Sequence, residues 1–456
     1  MSEAKDEAGA EDRFPARFLW GAATSAYQIE GSPLADGAGP SIWHDFTDSP
    51  GRTVGGDTGD VACDHYRRYA EDVALMRHLG LQAYRFSVSW SRVLPLGTDD
   101  VNPKGLDFYS RLVDGLLAAG VQPLVTLYHW DLPSALQQRG GWLNADSAHW
   151  FGDYAELMFR ALGDRVSLWI TLNEPWVVCD AGYMHGVHAP GHRSVSETVK
   201  VSRNLLRAHG EAVRHYRAVG RDRIGIAINL EPKYPASNGE ADESATRRAD
   251  AYMNRQFLDP IFFGHYPQEL LDLSPEGWVD PAPGDARLMR EPIDFLAINY
   301  YSRGVTRNDP AAPPLRTGRV HQAQAPHTSL DWEVYPSGLT DILIWVKDRY
   351  GDLPLYVTEI GAAYDDPAPA RGTVDDPDRV DYLRRHLRAA HDAIRRGVDL
   401  RGYFVWSLLD NLEWAYGFSK RFGIVHVDFS TQKRTTKASA RFYANVIRTN
   451  GACLFA

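Results

Sequence analysis

Eight short apolar runs, each followed by a stretch with helical periodicity, alternate along the whole of this 456-residue chain. The runs lie at 18–27, 83–90, 123–129, 168–173, 224–230, 294–300, 355–358 and 403–408. The helical stretches lie at 66–79, 106–119, 148–162, 199–216, 245–257, 339–350, 380–394 and 437–447. Strand–helix units of this kind either close into a parallel barrel or lie open as a doubly wound sheet. An open sheet that binds dinucleotides carries a glycine-rich fingerprint after its first strand, and none is present. Eight consecutive units therefore predict an α/β chain folded as a single (β/α)8 TIM barrel, with extended loops at its carboxyl-terminal face. The expected division is a flexible tail over 1–13 and one barrel over 14–456. Local punctuation agrees: Asp64 is placed to cap the first long helix, Gly80 to end it, and Ser194 with Glu197 reads as a capping box. Two segments rich in proline and alanine, 309–329 and 365–378, read as long loops around the barrel mouth.

The second run tests the barrel. In Tyr84-Arg85-Phe86-Ser87-Val88-Ser89-Trp90 the large apolar residues share one face, and Arg85, Ser87 and Ser89 share the other. If the apolar face meets the helices, Arg85 points into the barrel, where an unpaired guanidinium is costly and a carboxylate partner is required. The other runs end in polar or aromatic residues too: Gln28 and Glu30, His129-Trp130-Asp131, Asn173-Glu174, Asn299-Tyr300-Tyr301, Glu359, Trp406-Ser407 and then Asp410 to Trp414. Singly, each reads as a satisfied core polar group or a loop cap. Together, at the carboxyl ends of barrel strands, they read as one site.

Composition narrows the chemistry. A net charge of −10 argues against nucleic acid or anionic membrane as partner. No apolar run is long enough to span a bilayer, and 1–13 lacks a signal-peptide core. Three scattered cysteines, Cys63, Cys179 and Cys453, fit a reduced, cytoplasmic protein, monomeric or homo-oligomeric. His185, His188 and His192 cluster in a Gly/Pro-rich loop without metal-ligand spacing, so no metal and no cofactor is expected. There is no serine elbow and no phosphate loop. Two carboxylates on separate strands, Glu174 and Glu359, suit glycoside hydrolysis, with a small-molecule β-glycoside as partner. The 13 tryptophans and 22 tyrosines offer apolar faces for sugar rings, while Gln28, His129, Asn173 and Glu413 can bind hydroxyls.

The motifs 18–31 (Phe-Leu-Trp-Gly-Ala-Ala-Thr-Ser-Ala-Tyr-Gln-Ile-Glu-Gly), 171–176 (Thr-Leu-Asn-Glu-Pro-Trp), 356–359 (Tyr-Val-Thr-Glu), 406–414 (Trp-Ser-Leu-Leu-Asp-Asn-Leu-Glu-Trp) and 421–423 (Arg-Phe-Gly) resemble those of the retaining β-glycosidases of glycoside hydrolase family 1, the β-glucosidase family. The resemblance runs over nearly the whole chain. It implies that Glu174 is the acid/base and Glu359 the nucleophile. Gln28, His129, Trp130, Asn173, Trp406, Glu413, Trp414 and Phe422 would bind the sugar, with Trp406 as its floor. Arg85, Asn299 and Tyr301 would support the carboxylates, and Trp176, Cys179, His188 and Trp332 would line the aglycone side. The implied function is exo-hydrolysis of terminal β-D-glucosyl residues from cello-oligosaccharides and aryl or alkyl β-glucosides by double displacement. β-Galactosidase or β-fucosidase specificity, a transglycosidase and a non-catalytic sugar-binding barrel are the alternatives. Glu174 in place of glutamine favours O-glycosides over thioglycosides, and Glu413 disfavours phosphorylated sugars. One departure stands out: Ile360 follows Glu359 where the family usually has asparagine, so that side-chain hydrogen bond is lost. Arg85 is expected to keep Glu359 at a low pKa, and the charge of Glu359 to raise that of Glu174. Carboxyl groups about 5 Å apart are expected of a retaining pair.

Overall fold

The computed structural model describes residues 12–273 and 277–455, so most of the expected 1–13 tail lies outside the described residues. Eight parallel strands close on themselves: Leu19–Ala23, Ala83–Ser87, Gln122–Tyr128, Leu168–Asn173, Arg223–Asn229, Phe295–Asn299, Leu355–Ile360 and Leu400–Trp406. The last pairs with the first in register, Leu19 opposite Gly402 through Ala23 opposite Trp406. Each strand is followed by at least one helix, the main ones being His65–His78, Pro103–Ala118, Ser147–Leu162, Val195–Val219, Glu240–Asp250, Ser337–Tyr350, Pro377–Arg395 and Ala438–Thr449.

Alternation along the strands divides the apolar residues into two cores. Tyr84, Phe86 and Val88 join the large cluster between strands and helices. A smaller cluster fills the barrel itself, with Ala83, Leu124, Leu168, Ile170, Phe295, Tyr356 and Phe404 among its members. That plug makes the barrel a packed core rather than a pore and separates its carboxyl-terminal end from the opposite one. Arg85 is directed inward, as the alternation predicts: its nitrogens reach Thr126 on the third strand, Asn173 on the fourth and Glu359 on the seventh.

The punctuation holds in part. Gly80 has φ 73° just past the first long helix, the left-handed turn that glycine permits. Asp64 does not cap that helix through its side chain, but pairs with Arg67 and Arg68 one turn on. Ser194 accepts from the Glu197 amide, while the Glu197 carboxylate turns to His192 at 2.7 Å, so the capping box is half formed. Segment 309–329 is not all loop. Thr317–Arg319 pairs antiparallel with Gly304–Asn308, which pairs with Lys233–Pro235, giving a small sheet beside the mouth. Segment 365–378 is irregular but anchored, because Asp366 and Asp376 both grip the buried Arg379 of the helix that follows.

Candidate active site

The fourth and seventh strands carry register shifts at their carboxyl ends, between Ile170 and Asn173 and between Val357 and Ile360. Such irregularities re-aim side chains next to functional sites. Glu174 follows the first with φ 46°, and Trp130 and Trp414 are also left-handed, at φ 82° and 48°. Three non-glycine residues held in that region around one cavity represent stored backbone strain, about 1 kcal/mol or more each. Beyond Glu359, Ile360 completes its strand and packs into the core, so the missing asparagine hydrogen bond is replaced by apolar burial. At Gly361 a Cβ would stand 1.7 Å from the Trp406 carbonyl oxygen, which only glycine avoids.

A cavity of about 430 Å3 opens at this end of the barrel. Glu174, Glu359, His129, Trp130, Asn299, Tyr301, Trp406, Glu413, Trp414 and Phe422 line it together with Trp176, His188 and Trp332. Gln28, Arg85 and Asn173 sit one layer behind. Gln28 donates to the Leu412 carbonyl at 2.8 Å and to Glu413 at 3.5 Å. Asn173 Oδ1 accepts from Arg85 at 2.6 Å and from Asn299 at 3.0 Å. Cys179, expected on the aglycone side, is not among the lining residues. It lies in the π-helical turn Val178–Met184, whose wider winding turns it fully into the core. Residues missed in the sequence form the outer rim: Asn229, Glu231, Lys233, Tyr252, Met253 and Arg319. Asn229 ends the fifth strand, so the strand-end rule used elsewhere could have found it.

The two glutamates have different surroundings. Glu359 accepts from Arg85 at 2.5 Å and from the Tyr301 hydroxyl at 2.9 Å. Glu174 accepts from the Asn299 amide at 2.7 Å and has no cation in contact among the described residues. Burial first, then the negative charge of Glu359, pushes Glu174 up to about 8. Glu413 is raised to about 8 by the same two causes. The expectation of a low pKa for Glu359 is corrected: burial raises it above the usual carboxylate range, and Arg85 and Tyr301 only offset part of that. Burial also drives His129 well below its usual pKa, with Arg85 adding to the effect, so the ring is neutral. Its Nε2 meets the Asn173 amide at 3.0 Å, and Nδ1 has no partner among the described residues. With the amide donating to Nε2, the proton sits on Nδ1, available to a ligand hydroxyl. Trp406 and Trp414 stack near-parallel to His129, with ring centroids at 5.8 and 5.9 Å. The site thus pairs flat apolar faces with polar edges and three buried carboxyl groups that hold their protons more tightly than usual, an arrangement suited to a sugar ring and to proton transfer.

The His185, His188 and His192 trio is dispersed in function. His185 approaches Asp180 at 3.5 Å, His192 pairs with Glu197, and His188 packs on Trp43 and Trp130. No described helix is long and apolar enough to cross a membrane.

Known proteins are similar to this chain over nearly their full length. β-Glucosidase A of Thermotoga maritima is 51% identical over 441 residues, covering 96% of this chain and 98% of the relative. A bifunctional β-D-glucosidase/β-D-fucosidase of Bifidobacterium breve is 41% identical, covering 96% and 99%. The solved structure of the Thermotoga maritima β-glucosidase in complex with glucoimidazole superimposes with a TM-score of 0.94 at 50% identity, covering 96% of this chain and 99% of that one. The sequence model of glycosyl hydrolase family 1 matches residues 10–452. With the barrel, the two strand-end glutamates and these likenesses in agreement, the chain belongs to glycosyl hydrolase family 1.

Proposed function

We propose that the chain is a retaining exo-β-glucosidase, acting in the cytoplasm as one unit over residues 14–456. Its substrates are cello-oligosaccharides and aryl or alkyl β-glucosides, from which it removes terminal non-reducing β-D-glucosyl residues. The unequal support of the two glutamates carries this reading: Arg85 and Tyr301 hold Glu359, and Glu174 has no cation. Glu359, the better stabilised anion, attacks the anomeric carbon. Glu174, protonated up to about pH 8, gives its proton to the departing glycosidic oxygen. Forming the glycosyl ester removes the charge of Glu359, the largest cause after burial of the raised Glu174 pKa. Glu174 then ionises more readily and takes a proton from the incoming water, which releases the sugar with its configuration retained. Asn299 links the two groups, donating to Glu174 while accepting from Thr358 beside the nucleophile.

Glucose recognition falls to Glu413, Gln28, His129 and Trp414 around the Trp406 floor, and the aglycone to Trp176, His188 and Trp332. A cytoplasmic setting is supported by three cysteines without a disulfide. Stereochemistry of rescue tests the roles. Azide with Glu359→Ala should yield the α-glucosyl azide, and with Glu174→Ala the β-glucosyl azide. One anomer from both variants would sink the assignment. Nitrophenyl β-glucoside, β-galactoside and β-fucoside assayed side by side test the sugar, with the glucoside expected to give the highest kcat/KM.

A further inference from the structure

His321, His327 and Asp331 lie together outside the cavity, on the strap that runs from the small sheet to Trp332. One ring nitrogen of each histidine and one carboxylate oxygen of Asp331 lie within 4.8 Å of one another. The His321 Nε2 is 3.1 Å from the Asp331 Oδ1, and the two imidazoles stack with centroids 4.4 Å apart and planes 26° from parallel. His327 Nε2 is buried and has no hydrogen-bond partner among the described residues. A surface histidine–aspartate pair explains the first contact. It explains neither the second imidazole laid against it nor a buried ring nitrogen left without a partner.

We propose that His321, His327 and Asp331 form a binding site for a divalent transition-metal ion of the zinc type. Two imidazoles and a carboxylate suit zinc, nickel or cobalt far better than the hard ions calcium and magnesium, which prefer oxygen alone. Ligand atoms about 2.1 Å from zinc in a tetrahedron stand about 3.4 Å apart, so side-chain rotation closes the present spacing. Water fills the fourth position, and the exposed His321 and Asp331 leave an entry path from solvent. The metal takes the His321 Nε2 lone pair in place of the hydrogen bond to Asp331, which leaves the ring proton on Nδ1.

Three ligands spaced over 321–331 staple that strap. Asp331 is left-handed, at φ 60°, inside a turn closed by the Thr328 amide to the Trp332 carbonyl at 2.9 Å and by the Asp331 amide to the Thr328 carbonyl at 2.9 Å. Its neighbour Trp332 lines the cavity. Metal binding therefore fixes the strap that presents Trp332, and it leaves Glu174 and Glu359 untouched.

Full-length protein stripped with a chelator is titrated with zinc chloride by calorimetry and with cobalt chloride by visible absorption. One equivalent should bind with micromolar affinity, the cobalt spectrum should report nitrogen and oxygen ligands, and thermal unfolding should move upward. His321→Gln and Asp331→Asn, both at exposed side chains, should each weaken binding about tenfold or more. His327→Gln should do the same, and its metal-free unfolding temperature separates loss of a ligand from loss of fold. His44→Gln serves as the control, because His44, Asp48 and Asp60 form the other group of close ligand atoms among the described residues. Absence of a saturable equivalent overturns the proposal. So does binding that survives His321→Gln and Asp331→Asn, or that is lost with His44→Gln.

Discussion

Asp410 and Glu413 lie three residues apart on the segment leaving the eighth barrel strand, and each belongs to a group of three carboxyls. Asp366, Asp376 and Asp410 meet Arg379, Arg421 and Lys437, three acids against three bases in one buried network. Lys437 reaches Asp410 at 2.7 Å and Arg421 reaches it at 2.7 Å. Burial raises Asp410, but these cations outweigh it and hold the carboxyl below its ordinary range. Burial drags Lys437 down as well, with the aspartates pulling it back. In the cavity, Arg85 pairs with Glu359, while Glu174 and Glu413 have no ion pair among the described residues, and all three are raised. Residue type and depth are alike in the two regions; the supply of countercharge differs. The balanced group fastens the loop that carries Glu413, and the unbalanced group keeps protons available for transfer.

Replacing a carboxyl on the unbalanced side should cost the most in rate. Glu359→Ala should lower kcat/KM roughly 10^5-fold in a steady-state assay. A loss under tenfold would erase the distinction between the regions. On the balanced side the cost should appear in stability: Lys437→Met removes one of the two cations at both Asp366 and Asp410 and should destabilise by about 3–5 kcal/mol in denaturant unfolding.

Smaller effects follow from protons. Glu413 has a folded pKa raised from 4.5 to about 8, so the folded state keeps a proton that the unfolded chain has already lost between those values. Its contribution to stability therefore falls as pH rises through that window. Glu413→Gln should stabilise on the order of 2 kcal/mol at pH 9 relative to wild type, with little change near pH 4, in unfolding scans at both values. Glu359→Gln should lower the Glu174 pKa by about one unit, equal to about 1.4 kcal/mol, in carboxyl-carbon NMR titration. An unchanged Glu174 would mean that burial alone sets its acidity.

Much of this was legible in the chain. Eight apolar runs marked the barrel, because strands buried on both faces need continuous apolar sequence. The period of two placed Arg85 inside, and its need for a partner pointed to a carboxylate at the same depth. Lys233–Pro235 and Thr317–Arg319 were not legible, since three-residue strands show no alternation to read. Cys179 and Tyr252 sit in π-helical turns, which shift side-chain phase by an amount that no 3.6-residue pattern reveals. The direction of the Glu359 pKa also escaped, because the sequence names its cation and not how completely water is excluded from the pair.

The Gly361 backbone pressed against the Trp406 carbonyl has a bearing on how such a chain can change. The two strands that carry Glu359 and Trp406 meet there without room for one added methyl group. Their spacing is mechanically locked, so mutation has no gradual route to a wider sugar compartment from within the barrel. Variants selected for new substrates should instead accumulate at the rim, in the strap and the small sheet, and leave the strand ends as they are.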